Sequence, residues 1–300
     1  MSYAEHFGLD REPFSNAPDA RFYYDSEQHS QALVRLMYAV DSNKGLAVLI
    51  GGVGTGKTTL ARRMLDNLPE DRYQSSLLVM VHSGITPEWI LTRIALQLGV
   101  DVPAADRLTL LKQLYDRLLA IDESGRKAVV LIDEAQMLQT RELMEEFRGL
   151  LNLEIPGKKL LNIVFFGLPE VEDCLRLDEP LAQRVAVKFQ LRSLSVETTE
   201  SYIKHRLRVS GAKRMLFAPD AVPAIHGYSG GVPRLINTIS DNCLFEAFLR
   251  KMPEVTVKVV YSVAGDLGLL RQSVAALEAS QTEGELDEIE DLLDRLEQKF

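Results

Sequence analysis

The chain is poor in cysteine. Two thiols, Cys174 and Cys243, stand in 300 residues. They cannot form a disulfide framework, which points to a reducing compartment rather than secretion. Long apolar runs are also missing. "KAVVLI" and "NIVFFGL" are among the longest, far short of the roughly 20 residues a bilayer span needs. "MSYAEHFGLD" has no basic start followed by an apolar core, so it is not a signal peptide. The expected location is the cytoplasm, without direct membrane insertion; recruitment to the inner membrane by a partner stays open. His6, His29, His82, His205 and His226 show no metal-ligand spacing. There is no excess of base. Residues 275–300 hold nine acids against two bases and carry most of the net charge of −9. The rest is close to neutral, which neither supports nor excludes nucleic acid.

What is present is enough apolar material, 46% of the chain, for one large or two ordinary domains. "GLAVLI" (45–50), "SSLLVMV" (75–81), "KAVVLI" (127–132), "LLNIVFF" (160–166) and "VAVKFQL" (185–191) are short, strand-like apolar runs, and those apolar on both faces fit strands buried on both sides. Helix-period segments separate them, and the alternation predicts a parallel α/β sheet. Trp89, in the helix-period stretch "TPEWILTRI", is expected in the core, and both cysteines as buried thiols. After about residue 192 the strand-like runs stop. "SVETTESYIKHRLRVSG", with Ser195 as cap, "APDAVPAIHGYSG" and "GVPRLINTISDNCLFEAFLRK" predict a small helical second domain. The expected division is a nucleotide-binding core over 1–194, a helical lid over 195–265, and a linker with an acidic helix over 266–300. Leu286, Ile289, Leu293 and Leu296 form one apolar stripe on that last helix. Residues 285–300 are therefore expected to take a protein partner through an apolar groove.

In "LIGGVGTGKTTLARRML" (49–65) glycines crowd between an apolar run and a helix pattern. Gly51-x-x-x-x-Gly56-Lys57-Thr58 is a P-loop. Glycines, with Gly54 between them, let backbone N–H groups close on an anionic phosphate chain. The helix opening at Lys57 turns its positive end, with Thr59, toward the same anion. Lys57 would reach the β- and γ-phosphates of ATP, and the Thr58 hydroxyl would hold Mg²⁺. "VVLIDEAQ" (129–136) ends a strand in two acids. With a P-loop upstream, Asp133 reads as a second holder of Mg²⁺ and Glu134 as the group that polarises the attacking water. Arg184, in "LAQRV", reads as a finger reaching a neighbouring subunit's γ-phosphate or as an ordinary helix-end arginine. Arg234, in "GGVPR", reads as a lid residue directed at the nucleotide or as a helix-start arginine. "YIKHRLRVSGAKR" (202–214) holds five bases and no acid; it reads as a solvated helix end rather than a nucleic-acid contact.

Taken in this order, these motifs resemble the AAA+ ATPases: a P-loop α/β core with a five-stranded parallel sheet, and a small helical lid. "HFGLDREPFSNAPDARFYYDSEQHSQALVRLMYAV", "VLIDEAQML", "GLPEVEDCL", "LAQRVAVKFQLRSLSVETTESYIKHRLRVSG" and "YSGGVPRLINTISDNCL" look more specifically like the ExeA/GspA family, with its MshM-type and PEP-CTERM-associated members, over about residues 3–250. The resemblance implies an ATPase, with ATP and Mg²⁺, that assembles or regulates a bacterial envelope machine: a type IV pilus, type II secretion or polysaccharide export. Two alternatives stay open, a DNA-associated ATPase resembling the transposition regulators and a nucleotide-gated scaffold with little hydrolysis. ATP-dependent self-association into an oligomer or ring is expected, nucleic acid is not, and the family's transmembrane and peptidoglycan-binding parts are not expected here. His29 matches a family position without an assignable chemistry. Leu168 stands where relatives commonly carry a glutamine that reads the γ-phosphate. Its side chain cannot hydrogen-bond, so either another residue senses the phosphate or hydrolysis is slow.

Overall fold

The computed structural model describes residues 2–17 and 19–269. They group into two units, one of residues 25–193, the other of the residues before 25 together with those from 194 onward. The acidic tail and its stripe, residues 285–300, lie outside the described residues.

The first unit alternates strand and helix as predicted. Its elements run α2 (Glu27–Asp41), β1 (Leu46–Gly51), α3 (Lys57–Asp66), β2 (Tyr73–Val79), α4 (Pro87–Gln97), α5 (Arg107–Glu123), β3 (Lys127–Asp133) and α6 (Arg141–Leu150). A two-residue-stranded hairpin follows, β4 (Glu154–Ile155) with β5 (Lys158–Lys159). Then come β6 (Leu161–Gly167), α7 (Val171–Arg176), α8 (Glu179–Ala182) and β7 (Val185–Leu191). Five strands form one parallel sheet in the order β2-β3-β6-β1-β7. Side chains alternate across it as the strand period requires. Leu46, Val48 and Ile50 of β1, with Val130, Ile132, Ile163 and Phe165, pack toward α4, α5 and α6. Ala47 and Leu49, with Val129, Leu131, Val164 and Phe166, pack toward α2 and α3.

The three central strands are buried along their length. The two edges are not. In β7 the side chains alternate between half-buried and exposed up to Leu191, because α2 covers the face of Val187 and Phe189 while Ala186, Lys188 and Gln190 on the other face stay exposed. Trp89 departs from expectation. It lies in the first turn of α4 with 38% of its surface exposed, and the Arg93 guanidinium sits over its ring at 5.6 Å. Both cysteines are free and buried.

The second unit is helical: α9 (Val196–Val209), α10 (Ala221–Ser229), α11 (Pro233–Leu249) and α12 (Val257–Asp266), with α1 (Tyr3–Phe7). Ser195 caps α9 by accepting from the Thr198 N–H at 3.2 Å, as its position predicted. The N-terminal segment differs from the expected division, which put it in the nucleotide-binding core. Arg206 of α9, 6% exposed, explains its place. Its guanidinium donates to the Pro13 carbonyl at 2.5 Å, the Ser15 carbonyl at 2.9 Å and the Tyr202 hydroxyl, and lies 4.7 Å from the Phe22 ring centroid. Phe14 meets Phe217 edge to face in the helical core. Tyr3 donates to Asp241 of α11.

Candidate nucleotide site

Parallel strands end at a common edge, and there the candidate residues gather. Gly51, Asp133 and Gly167 are the last residues of β1, β3 and β6, and register keeps those ends level, with Ile50 opposite Gly167 and Ile132 opposite Phe165. Open α/β sheets bind ligands at this carboxyl edge.

From Gly51 the chain turns into α3 through Gly52–Gly56. Gly54 (φ 77°) and Gly56 (φ 102°) hold left-handed backbone conformations that a Cβ would strain. Thr55 donates through Oγ1 to the Gly52 carbonyl at 2.9 Å and closes the turn. Lys57 is nearly buried; its Nζ donates to the carbonyls of Gly51 and Gly52, both at 2.9 Å. The ammonium is thus stored on the loop that a phosphate chain would occupy.

His29, of α2, braces this loop. It is 7% exposed. Its Nε2 faces the Thr55 carbonyl at 3.3 Å, and its Nδ1 faces the Ser26 hydroxyl at 2.6 Å. A carbonyl only accepts, so Nε2 carries the proton and Nδ1 accepts from Ser26. A Cβ at position 56 would come within 3.0 Å of Nε2. Burial holds the imidazole pKa below its ordinary value, against the Thr55 hydrogen bond and Asp25, which raise it. No spacing rule exposes such a contact, since 26 residues separate the ring from Thr55.

Asp133 is fully buried. Its Oδ1 accepts from the Glu134 N–H at 3.0 Å, and Oδ2 is shut from solvent without a hydrogen-bond partner. Burial pushes its pKa up, while the Thr58 hydroxyl, the Glu134 N–H and the charge of Lys57 pull it down. A partnerless buried carboxylate oxygen beside a hydroxyl fits a divalent cation, which prefers such oxygen donors. Glu134 adopts φ 57°, ψ 39°, sparsely populated for a side chain other than glycine. Its Oε2 accepts from Gln136 Nε2 at 2.5 Å, and Gln136 Oε1 accepts from the Leu168 N–H at 3.0 Å. No motif or spacing singles out Gln136 in the sequence.

Arg184 is half-buried. Its Nη1 donates to Asn152 Oδ1 at 2.6 Å and is 3.4 Å from the Arg148 carbonyl. Arg234 belongs to the helical unit, exposed in the first turn of α11. Among the described residues no group of His, Cys, Asp or Glu side chains is placed to hold a metal by itself, and no helix is long and apolar enough to cross a membrane.

Strand order, P-loop and helical unit define an AAA+ fold. Residues 40–175 match the family model of the AAA domain, and the fold is that of the Aeropyrum pernix ORC2 protein in its ADPNP–ADP complexes (TM-score 0.61, 17% identity, 85% of this chain and 71% of that one). It is similar too to a Walker-type ATPase of Pyrococcus abyssi (TM-score 0.57, 18% identity, 92% and 79%). In sequence the chain is 37% identical over 279 residues, 92% of its length, to General secretion pathway protein A of Aeromonas hydrophila. The chain carries an AAA domain over residues 40–175 and is related to that secretion protein, about half of whose length (49%) it spans.

Proposed function

We propose that the chain binds ATP with Mg²⁺, hydrolyses it, and uses the cycle to assemble or regulate a bacterial envelope machine. The observation that carries the chemistry is the meeting, at one sheet edge, of the P-loop and the Asp133–Glu134 pair with its partnerless buried oxygen. Loop N–H groups and the first turn of α3 receive the phosphates. Lys57 exchanges two neutral carbonyls for anionic oxygens, a stronger acceptor set for an ammonium. Thr58 and Asp133 would hold Mg²⁺, which when bound neutralises charge on the β- and γ-phosphates. Glu134 accepts a proton from the attacking water.

The envelope role rests on the relation to General secretion pathway protein A. A nucleic-acid role finds less support, because much of the basic stretch 202–214 is engaged within the helical unit. Arg206 is buried on carbonyls, Lys204 pairs with Glu200, and Arg214 donates to the Pro253 carbonyl. Self-association, with Arg184 completing a neighbour's site, belongs to the same reading, since a head-to-tail contact can close a ring. Equilibrium binding of a fluorescent ATP analogue tests the first step. Lys57→Ala should abolish binding that the parent shows at micromolar protein. Equal affinity in the two proteins would overturn the assignment of the loop.

A further inference from the structure

Glu134 ends a flexible side chain, and a base that wanders activates water poorly. We propose that Gln136 is its positioning residue, tying the Glu134 carboxylate to the backbone at the end of β6; this rests on Glu134 being the group that polarises water. Chemistry fixes which way the amide points. The Leu168 N–H can only donate, so Oε1 must face it; an ionised carboxylate can only accept, so Nε2 must face Glu134. The anchor is a backbone atom and therefore does not rotate away. Gln136 is 6% exposed, and its own carbonyl faces the Cys174 thiol.

Gly167 makes the arrangement possible. A Cβ there would come within 2.8 Å of Gln136 Oε1 and 2.3 Å of Val171 Cγ2, displacing the amide. With Oε2 accepting from Gln136, the carboxylate keeps acceptor positions for water. The link does not depend on the side chain at position 168. The backbone of Leu168, not its side chain, enters the circuit.

Steady-state ATP hydrolysis by the full chain tests this, with Gln136→Leu, Gln136→Glu and Glu134→Gln. Gln136→Glu keeps an acceptor for the Leu168 N–H and so guards against a folding defect, but it turns a donor into a like charge facing Glu134. In both Gln136 variants KM for ATP should stay within about two-fold while kcat falls about ten-fold or more, the loss expected for a hydrogen bond to a charged group. In a Glu134→Gln background, Gln136→Glu should cost nothing further, because the residue acts through Glu134. Unchanged kcat in Gln136→Glu, with Glu134→Gln inactive, would overturn the positioning role alone. Equal hydrolysis by the parent and Glu134→Gln would instead overturn the reading of Glu134 beneath it.

Discussion

His29 offers a quantitative test of how the phosphate loop is held. Replacing it with alanine takes the acceptor from the buried Ser26 hydroxyl, which keeps only the backbone N–H of residue 29, and the ring donor from the buried Thr55 carbonyl. Ser26 is 5% and Thr55 4% exposed, so water cannot readily replace the ring. An unsatisfied buried polar group costs about 1–3 kcal/mol. The bond to Thr55 is long and stands at the low end of that range, and the space left by the ring adds to the loss. Destabilisation of the α/β unit should come to about 2–4 kcal/mol by urea unfolding. The same residue predicts a pH dependence. Burial lowers the imidazole pKa from 6.5 in the folded protein, so well above pH 6.5 the ring is neutral in both states and adds no slope. As pH falls below 6.5 the unfolded chain takes up the proton first. Stability is then lost at no more than about 1.4 kcal/mol per pH unit, until the folded ring protonates too. His205 is lowered as well, by burial and by Arg208, so the comparison must be between the parent and His29→Gln with His205 kept. The variant should lose part of the acid slope. A His29→Ala protein within about 0.5 kcal/mol of the parent, with the slope between pH 6.5 and 5 intact in His29→Gln, would refute the bracing role.

Arg206→Met removes the donors that hold the Pro13 and Ser15 carbonyls and should destabilise the helical unit by about 2–3 kcal/mol, with faster amide exchange in residues 2–17; unchanged exchange there would mean that the segment is held by its apolar contacts. Arg184→Ala should still bind ATP but lose the rise of specific activity with protein concentration. Parent activity that is independent of concentration from nanomolar to micromolar, with no oligomer by sedimentation, would contradict the trans role and leave Arg184 as a support for Asn152.

The α/β alternation was legible because five apolar runs bounded by turn signals carry a period that local sequence displays. So was the P-loop, where chemistry demands particular residues at fixed spacing, and the cap at Ser195. What escaped is what depends on distant partners. Strand order is one such property: nothing in "VAVKFQL" states that it lies at an edge, although Lys188 and Gln190 in alternation with apolar residues are the signature of a half-exposed strand. The N-terminal segment is another. Its tie to α9 runs through Arg206, 193 residues from Pro13, and a buried arginine looks in sequence like any other base in a basic stretch. Trp89 was placed by helix period alone, which ignores that the first turn of α4 is close to solvent. Gln136 stood in plain view, two residues after Glu134, but an amide has no spacing rule. Its meaning appears only when the Leu168 N–H is seen on its other end.

The central claim is that this carboxyl edge hydrolyses ATP with Glu134 as the group that activates water. Its most direct test is single-turnover hydrolysis of radiolabelled ATP at saturating Mg²⁺, parent against Glu134→Gln, with ATP affinity measured on the same samples. Affinity should be retained within a few-fold and the hydrolysis rate of Glu134→Gln reduced by about 10²-fold or more; equal rates in the two proteins, or no hydrolysis by the parent, would rule out that role for Glu134 at this edge.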